Sequence, residues 1–202
     1  VASVPFQITG NGGGVAGEHA AANAIGLGAQ VTVLDVNLAR LRELEHRYGN
    51  ALQTGASTRY AIAEALQSAD LVIGSVLIPG AAAPKLVTDD MVAGMKPGSL
   101  LVDIAIDQGG CFEGSHATTH DAPTFAVHDA LYYCVANMPG AVPETSTRAL
   151  TNATLPYVTA LADRGWDAAA AADPSLAKGL NVRGGEVVNA GVAAALGYAQ
   201  AD

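Results

Sequence analysis

Six consecutive residues, Gly12-Gly13-Gly14-Val15-Ala16-Gly17, have a spacing that could do chemistry. They fit the pattern G-x-G-x-x-G and open an alanine-rich helical stretch. There, orphan backbone N–H groups and the positive end of a helix dipole hold a pyrophosphate, and the missing side chains let it reach the backbone. Gly-rich turns are common, so the loop alone is a weak signal. Asp35 strengthens it: 35 − 12 = 23 residues later, at the end of a second strand-like run, a carboxylate stands where it accepts hydrogen bonds from ribose hydroxyls. Acid at that place also repels a 2′-phosphate and favours NAD over NADP. Arg40 and Arg42 are the counter-evidence. Solvated charges on an exposed helix face are the main expectation for them, and contact with the adenosine the alternative.

A second group of residues could move protons. Asp107 falls just past the carboxyl end of the run Leu100 to Ala105, where open α/β sheets present their ligands, so a carboxylate there is placed for proton handling. The competing expectation is a loop-capping carboxylate that accepts backbone N–H bonds. Asp103, inside the same run, reads as structural. His116, His120 and His128 have a spacing that suits neither a zinc site nor a His pair on a helix, and they read as loop or core histidines. Cys111 and Cys134 have neither metal-ligand nor CxxC spacing, so buried, reduced thiols are expected and no metal site is.

The elements needed to position these groups alternate along the chain. Val31 to Asp35, Leu71 to Val76 and Leu100 to Ala105 are short, β-branched and almost continuously apolar, as strands buried on both faces of a parallel sheet should be. Helical patterns run from His19 to Leu27, from Leu38 to Tyr48 and from Tyr60 to Ser68. A further helix follows Thr88, closed by Lys96-Pro97-Gly98, and Met91 and Met95 on it read as core. Thr124 to His128 and Leu131 to Val135 supply two more strands. From Pro143 onward the pattern becomes helical, with Ala149 to Ala162 and Val187 to Leu196 as the helices. The expected architecture is α/β: a doubly wound, mostly parallel Rossmann sheet in residues 1–143 and a C-terminal helical appendage in 144–202.

One stretch sits badly with that plan. Ile8-Thr9-Gly10-Asn11 is poor material for the central strand that should feed the glycine loop. Either the strand runs from Val4 to Thr9 with a two-residue bulge, or the first eleven residues are foreign to the fold.

Composition limits the partners. The chain has 202 residues, half of them hydrophobic and 14% charged, enough apolar material for a core and too few charges for disorder. A net charge of −9 with only ten Lys and Arg argues against nucleic acid and anionic membranes, and no apolar run approaches the roughly 20 residues of a membrane helix. The chain starts with Val1 and has no secretory signal pattern, so a cytoplasmic and partial chain is expected.

Five runs resemble those of NAD-dependent alanine dehydrogenases: Val31-Thr-Val-Leu-Asp-Val-Asn37, Asp70-Leu-Val-Ile-Gly-Ser-Val-Leu-Ile-Pro-Gly80, Val102-Asp-Ile-Ala-Ile-Asp-Gln-Gly-Gly-Cys-Phe-Glu-Gly114, Pro123-Thr-Phe-Ala-Val-His128 and Val135-Ala-Asn-Met-Pro-Gly-Ala-Val-Pro143. The resemblance spans about Gly12 to Val182 and implies a reversible reaction, L-alanine, NAD and water to pyruvate, ammonia and NADH. It implies that Gly12, Gly14, Val15, Ala16 and Gly17 surround the pyrophosphate and that Asp35 and Arg40 lie at the adenosine. Ser57 would lie near the adenine, and Val76, Leu77 and Ile104 along the coenzyme. Asp107 would handle protons, and Asn137 and Met138 would border the nicotinamide. The family's substrate-holding Arg, Lys and His come from a domain before the glycine loop, and here eleven residues precede Gly12. The resemblance therefore implies a coenzyme-binding half, inactive alone and joined to a homo-oligomer when whole. The competing readings are an NAD(H)-binding module without chemistry and the NAD-binding subunit of proton-translocating transhydrogenase, which departs from the Asp-Gln-Gly-Gly run.

Overall fold

The computed structural model describes residues 7–76, 78 and 83–199, which fall into two compact units, one up to Asn137 and one from Met138. The sequence had placed the division at 143/144. In the first unit, β1 (Gln7–Asn11), α1 (Val15–Gly26), β2 (Gln30–Asp35), α2 (Leu38–Tyr48), β3 (Leu52–Ala56), α3 (Arg59–Ser68) and β4 (Leu71–Gly74) alternate. α4 (Asp89–Ala93), β5 (Leu100–Asp103), β6 (Thr124–Val127) and β7 (Ala130–Tyr133) complete it. The strands form one sheet in the order β3-β2-β1-β4-β5-β7-β6, all parallel except β6, which pairs antiparallel with β7.

The hydrophobic core has two halves because alternate residues of a strand face opposite sides of a sheet. Val31 and Val33 of β2 pack with Ala21, Ala24, Leu41 and Leu44 from α1 and α2. Leu34 joins the other half with Ile62 and Leu66 of α3, Val92 and Met95, and Phe112, Tyr132 and Cys134. Helices thus cover both faces, the doubly wound arrangement that near-continuous apolar strands require.

β1 corrects the expectation of a bulge. Gln7, Ile8, Thr9, Gly10 and Asn11 pair in unbroken register with Gln30 to Leu34 of β2, and Ile8 to Asn11 pair with Leu71 to Gly74 of β4. A strand hydrogen-bonded on both sides is held by its neighbours' ladders, so the weak propensity of Thr, Gly and Asn does not decide its conformation. Val4 to Phe6, the earlier part of the expected strand, lie outside the described residues. β3 was not anticipated: it is an edge strand with only Leu52 buried, and Gln53, Thr54 and Gly55 carry no alternating apolar signal.

The second unit consists of a 3-10 turn (Met138–Ala141), α5 (Pro143–Ala172), α6 (Pro174–Ala177), the hairpin strands β8 (Val182–Arg183) and β9 (Glu186–Val187), and α7 (Ala190–Leu196). α5 starts at Pro143, whose fixed φ suits a first helical position, and it is broken at Gly165, where φ is 71°. It is longer than the helix expected from Ala149 to Ala162. Val187, expected in the last helix, belongs to β9 instead. Among the described residues no helix is long and apolar enough to cross a membrane.

Candidate coenzyme and catalytic site

Gly12, Asp35, Ser57, Val76 and Ile104 lie at or just past the carboxyl ends of the parallel strands β1, β2, β3, β4 and β5. β1 and β4 are the central neighbours from which the chain winds outward in both directions, the switch point where such sheets bind ligands. β1 ends in the glycine loop. Gly12 N donates to Leu34 O at 2.8 Å, Ser75 Oγ donates to Gly12 O at 2.9 Å, and Gly13 N donates to Asp35 Oδ2 at 2.6 Å. Gly17 lets α1 lie against this loop: a Cβ there would stand 1.9 Å from Gly12 O. Gly14 caps α1 without a side-chain hydrogen bond, and a Cβ on it would meet nothing within 4 Å.

The first turn of α1 therefore faces open space with its N–H groups unclaimed by a cap, and Val15 and Ala16 are exposed. A diphosphate fits this chemistry, since it brings negative charge and acceptor oxygens to that end of the helix. The one acid in the turn, Glu18, does not oppose it. Its carboxylate is bound by Arg40, Arg47 and Tyr48, and the Arg40 bond holds it below the usual carboxylate range.

Asp35 uses both oxygens to shape the loop, accepting Gly13 N on Oδ2 and Asn37 N on Oδ1 at 2.8 Å. A carboxylate has about four lone-pair positions, so ribose hydroxyls still find acceptors there. Arg40 departs from the expectation of a solvated charge. Its Nε donates to Gly13 O at 2.7 Å, and its guanidinium is also bound by Glu18 and Glu43, so in this structure it braces the loop. Arg42 is exposed.

Gly12, Gly14, Asp35, Ser57 and Val76, all singled out in the sequence, line one cavity of about 520 Å³. Leu34, Val36, Ser75, Ile78, Pro84 and Leu86 line it as well, and sequence reasoning did not name them. Val36 was legible as an apolar residue just past a strand-like run. Ser75 had no signal beyond following Gly74. Leu77 lies outside the described residues.

A second loop follows β5. Asp103 is fully buried and accepts from Ser115 Oγ at 2.6 Å, Cys111 N at 2.9 Å, Ala105 N at 3.1 Å and Phe112 N at 3.4 Å. It performs the loop-capping weighed for Asp107, and it confirms the structural reading of Asp103. Gly110 sits at φ 73°, and a Cβ on it would lie 2.8 Å from Asp103 Oδ2. Much of the Asp-Ile-Ala-Ile-Asp-Gln-Gly-Gly-Cys run is thus a device for closing this loop.

Asp107 lies in its short 3-10 turn (Ile106–Gln108), exposed, and makes no hydrogen bond among the described residues. Ile104 N donates to Gly74 O at 2.8 Å and leads into the turn. Neither residue lines the cavity around Asp35. Lys85 holds the loop from outside through Gly109, Gly110 and Phe112 carbonyls. It is a lone cation in an apolar stretch, and that was its only signal.

The remaining candidates divide. Asn137 closes the first unit, its carbonyl 2.7 Å from His120 Nε2, while Met138 opens the second unit. His116 stacks on Phe125 and His128 contacts Asp89 at 2.9 Å. Cys111 and Cys134 are both buried; burial pushes the Cys111 thiol far up, with Asp103 adding to it, and Cys134 up to about 11. Neither is an available nucleophile. Among the described residues no three His, Cys, Asp or Glu gather as metal ligands.

Comparison with known proteins gives this geometry a family. The model of the alanine dehydrogenase/PNT C-terminal domain matches residues 4–190. Alanine dehydrogenase of Halomonas elongata is 58% identical over 193 residues, 96% of this chain and 52% of that protein. A solved L-alanine dehydrogenase superposes with a TM-score of 0.85 at 46% identity, covering 98% of this chain and 55% of the other. A transhydrogenase from Sinorhizobium meliloti follows at 0.73 and 29%, covering 93% and 51%. The chain spans about half the length of the relatives it matches. It belongs to the alanine dehydrogenase/PNT family, as that family's C-terminal, NAD-binding domain.

Proposed function

We propose that this chain is the coenzyme-binding part of an L-alanine dehydrogenase. The observation that carries the reading is the uncapped first turn of α1 opening beside the cavity that contains Asp35. The N–H groups behind Gly14 bind the pyrophosphate, Asp35 binds the adenosine ribose and excludes a 2′-phosphate, and Val36, Ser57 and Leu86 receive the adenine end. NAD held by these residues would supply the hydride acceptor for oxidising L-alanine, which with water gives pyruvate and ammonia. Asp107, exposed past β5, takes up and returns a proton at its carboxylate oxygens. Asn137 borders the nicotinamide end.

The transhydrogenase alternative is less favoured, because identity and superposition are both higher for the dehydrogenase. A chain spanning half its relatives draws its substrate-orienting groups from the remainder. Since orientation alone supplies roughly 7–11 kcal/mol of barrier reduction, alanine oxidation by this chain on its own should be negligible. The reading also places the protein in the cytoplasm as a homo-oligomer, with the exposed Leu150, Leu155 and Val158 of α5 as apolar surface to cover.

The test is a fluorescence titration with NADH, with NADPH as comparator. Saturable NADH binding is expected, weakened about 10- to 100-fold by Asp35→Ala, which removes the ribose acceptor and frees Gly13 N together. NADPH binding as tight as NADH would sink the assignment of Asp35.

A further inference from the structure

The segment 83–87 runs beside the loop that carries Asp107, and most of the bonds between them run from donors on the segment to carbonyl oxygens on the loop, with Glu113 N donating in the reverse sense to Val87 O at 2.9 Å. Ala83 N donates to Gln108 O at 3.0 Å and Leu86 N to Cys111 O at 2.7 Å. Between them, Lys85 Nζ donates to Gly109 O at 2.7 Å, Gly110 O at 2.9 Å and Phe112 O at 3.1 Å. An ammonium has three N–H donors and no acceptor, so these bonds use its whole capacity, and charge makes them stronger than neutral ones. Every carbonyl from 108 to 112 is thus held by this one short segment. The residues on either side of Lys85, Pro84 and Leu86, line the cavity that contains Asp35 and Gly14.

We propose that Lys85 is a positioning residue that fastens the Asp107 loop to the wall of the coenzyme cavity, so that a bound dinucleotide and the placement of Asp107 are coupled. The inference rests on the NAD-binding reading above. A dinucleotide packed against Pro84 and Leu86 restrains residues 84–86, and the Lys85 head passes that restraint to the carbonyls that follow Asp107. Asp103 holds the N–H side of the same loop, but from inside the sheet and with no reach to the cavity lining. Lys85 therefore supplies the link, whereas Asp103 supplies only the shape.

The test is amide hydrogen exchange on the chain, with and without saturating NADH, read at Gly109, Gly110 and Cys111. These amides donate to Ile106 O, Ala105 O and Asp103, and the Val33 and Val72 amides serve as an internal reference for the sheet. In the unsubstituted chain, NADH should slow the three loop amides about tenfold or more. Lys85→Met keeps the stem and removes charge and donors. Without coenzyme it should exchange about tenfold faster at these amides, and on binding NADH it should regain less than about threefold of the protection. Lys85→Arg keeps cationic donors, should fall between the two, and serves if the Met variant does not fold. Equal NADH protection in the unsubstituted chain and the Met variant overturns the coupling. If the unsubstituted chain binds no NADH, the function reading fails by itself. Equal exchange of the two chains without coenzyme would then overturn the role of Lys85 separately.

Discussion

The loop after β1 and the loop after β5 leave the same edge of the same sheet and meet opposite ends. After β1, the anchoring bonds fall on Gly12 and Gly13, and the chain then enters α1 with no side-chain cap and open space before Gly14. After β5, N–H groups of the loop bond to Asp103 and its carbonyls to the segment 83–87, and the exposed Asp107 side chain makes no hydrogen bond among the described residues. The first loop keeps backbone donors for a ligand, and the second spends its backbone to present one carboxylate. Binding a phosphate takes several converging dipoles, whereas moving a proton takes one group held in place.

The comparison breaks most severely at Asp103. Asp103→Ala strands buried N–H groups of Ala105, Cys111 and Phe112 and the Ser115 hydroxyl at once, which should cost about 3–4 kcal/mol of folding stability. A calorimetric melt should show a drop of roughly 10 °C for a protein of this size. NADH affinity should change little where the variant remains folded, because Asp103 does not line the coenzyme cavity. A melt unchanged within about 0.5 kcal/mol would mean that the β5 loop is not held from inside.

The glycine loop should respond in the reverse sense, in binding before stability. Gly17→Ala puts a methyl 1.9 Å from Gly12 O, so α1 must shift, and NADH binding should fall by about 100-fold or more. Gly14→Ala sharpens the contrast. Nothing lies near the added methyl, and Gly and Ala differ by about 1 kcal/mol or less at a helix cap, so the melt should hardly move. The methyl would nevertheless stand in the space in front of the first turn, and NADH affinity should drop by about tenfold. Full NADH affinity in Gly14→Ala would place the pyrophosphate elsewhere.

Both loops were found in the sequence, by different signals and to different depths. The glycine loop was legible because its requirement is for absent side chains at fixed spacing, followed by an acid at the end of the next strand. β1 was not legible. Its conformation comes from ladders on both sides, and nothing in Ile8-Thr9-Gly10-Asn11 encodes that support. β3 escaped for a related reason, since an edge strand with one buried residue has no periodicity to read. The structural reading of Asp103 held because a carboxylate inside an apolar run has to find donors. Lys85, Ser75 and the bracing role of Arg40 were out of reach, because each depends on contacts 24 to 63 residues away in the chain.

The smallest expected effect concerns the acid beneath the glycine loop. Arg40, and then Arg47 and Tyr48, hold the Glu18 carboxyl below its usual range, so the folded protein binds that proton more weakly than the unfolded chain does. The sign follows: the stabilisation is complete above the ordinary carboxylate pKa of about 4.3 and is lost as the pH falls through the lowered value. Glu18→Gln removes the titration and leaves Arg40 its bonds to Gly13 O and Glu43. The melting temperature of Glu18→Gln should therefore lie slightly below that of the unsubstituted protein at pH 7, and the gap should close as the pH drops below about 4. Because Arg40 also holds the Gly13 carbonyl, NADH affinity should weaken only a few-fold at pH 7. A melting gap that stays constant from pH 7 to pH 3 would show that Glu18 contributes packing rather than charge, and that the open loop owes its shape to Asp35 and Arg40 without it.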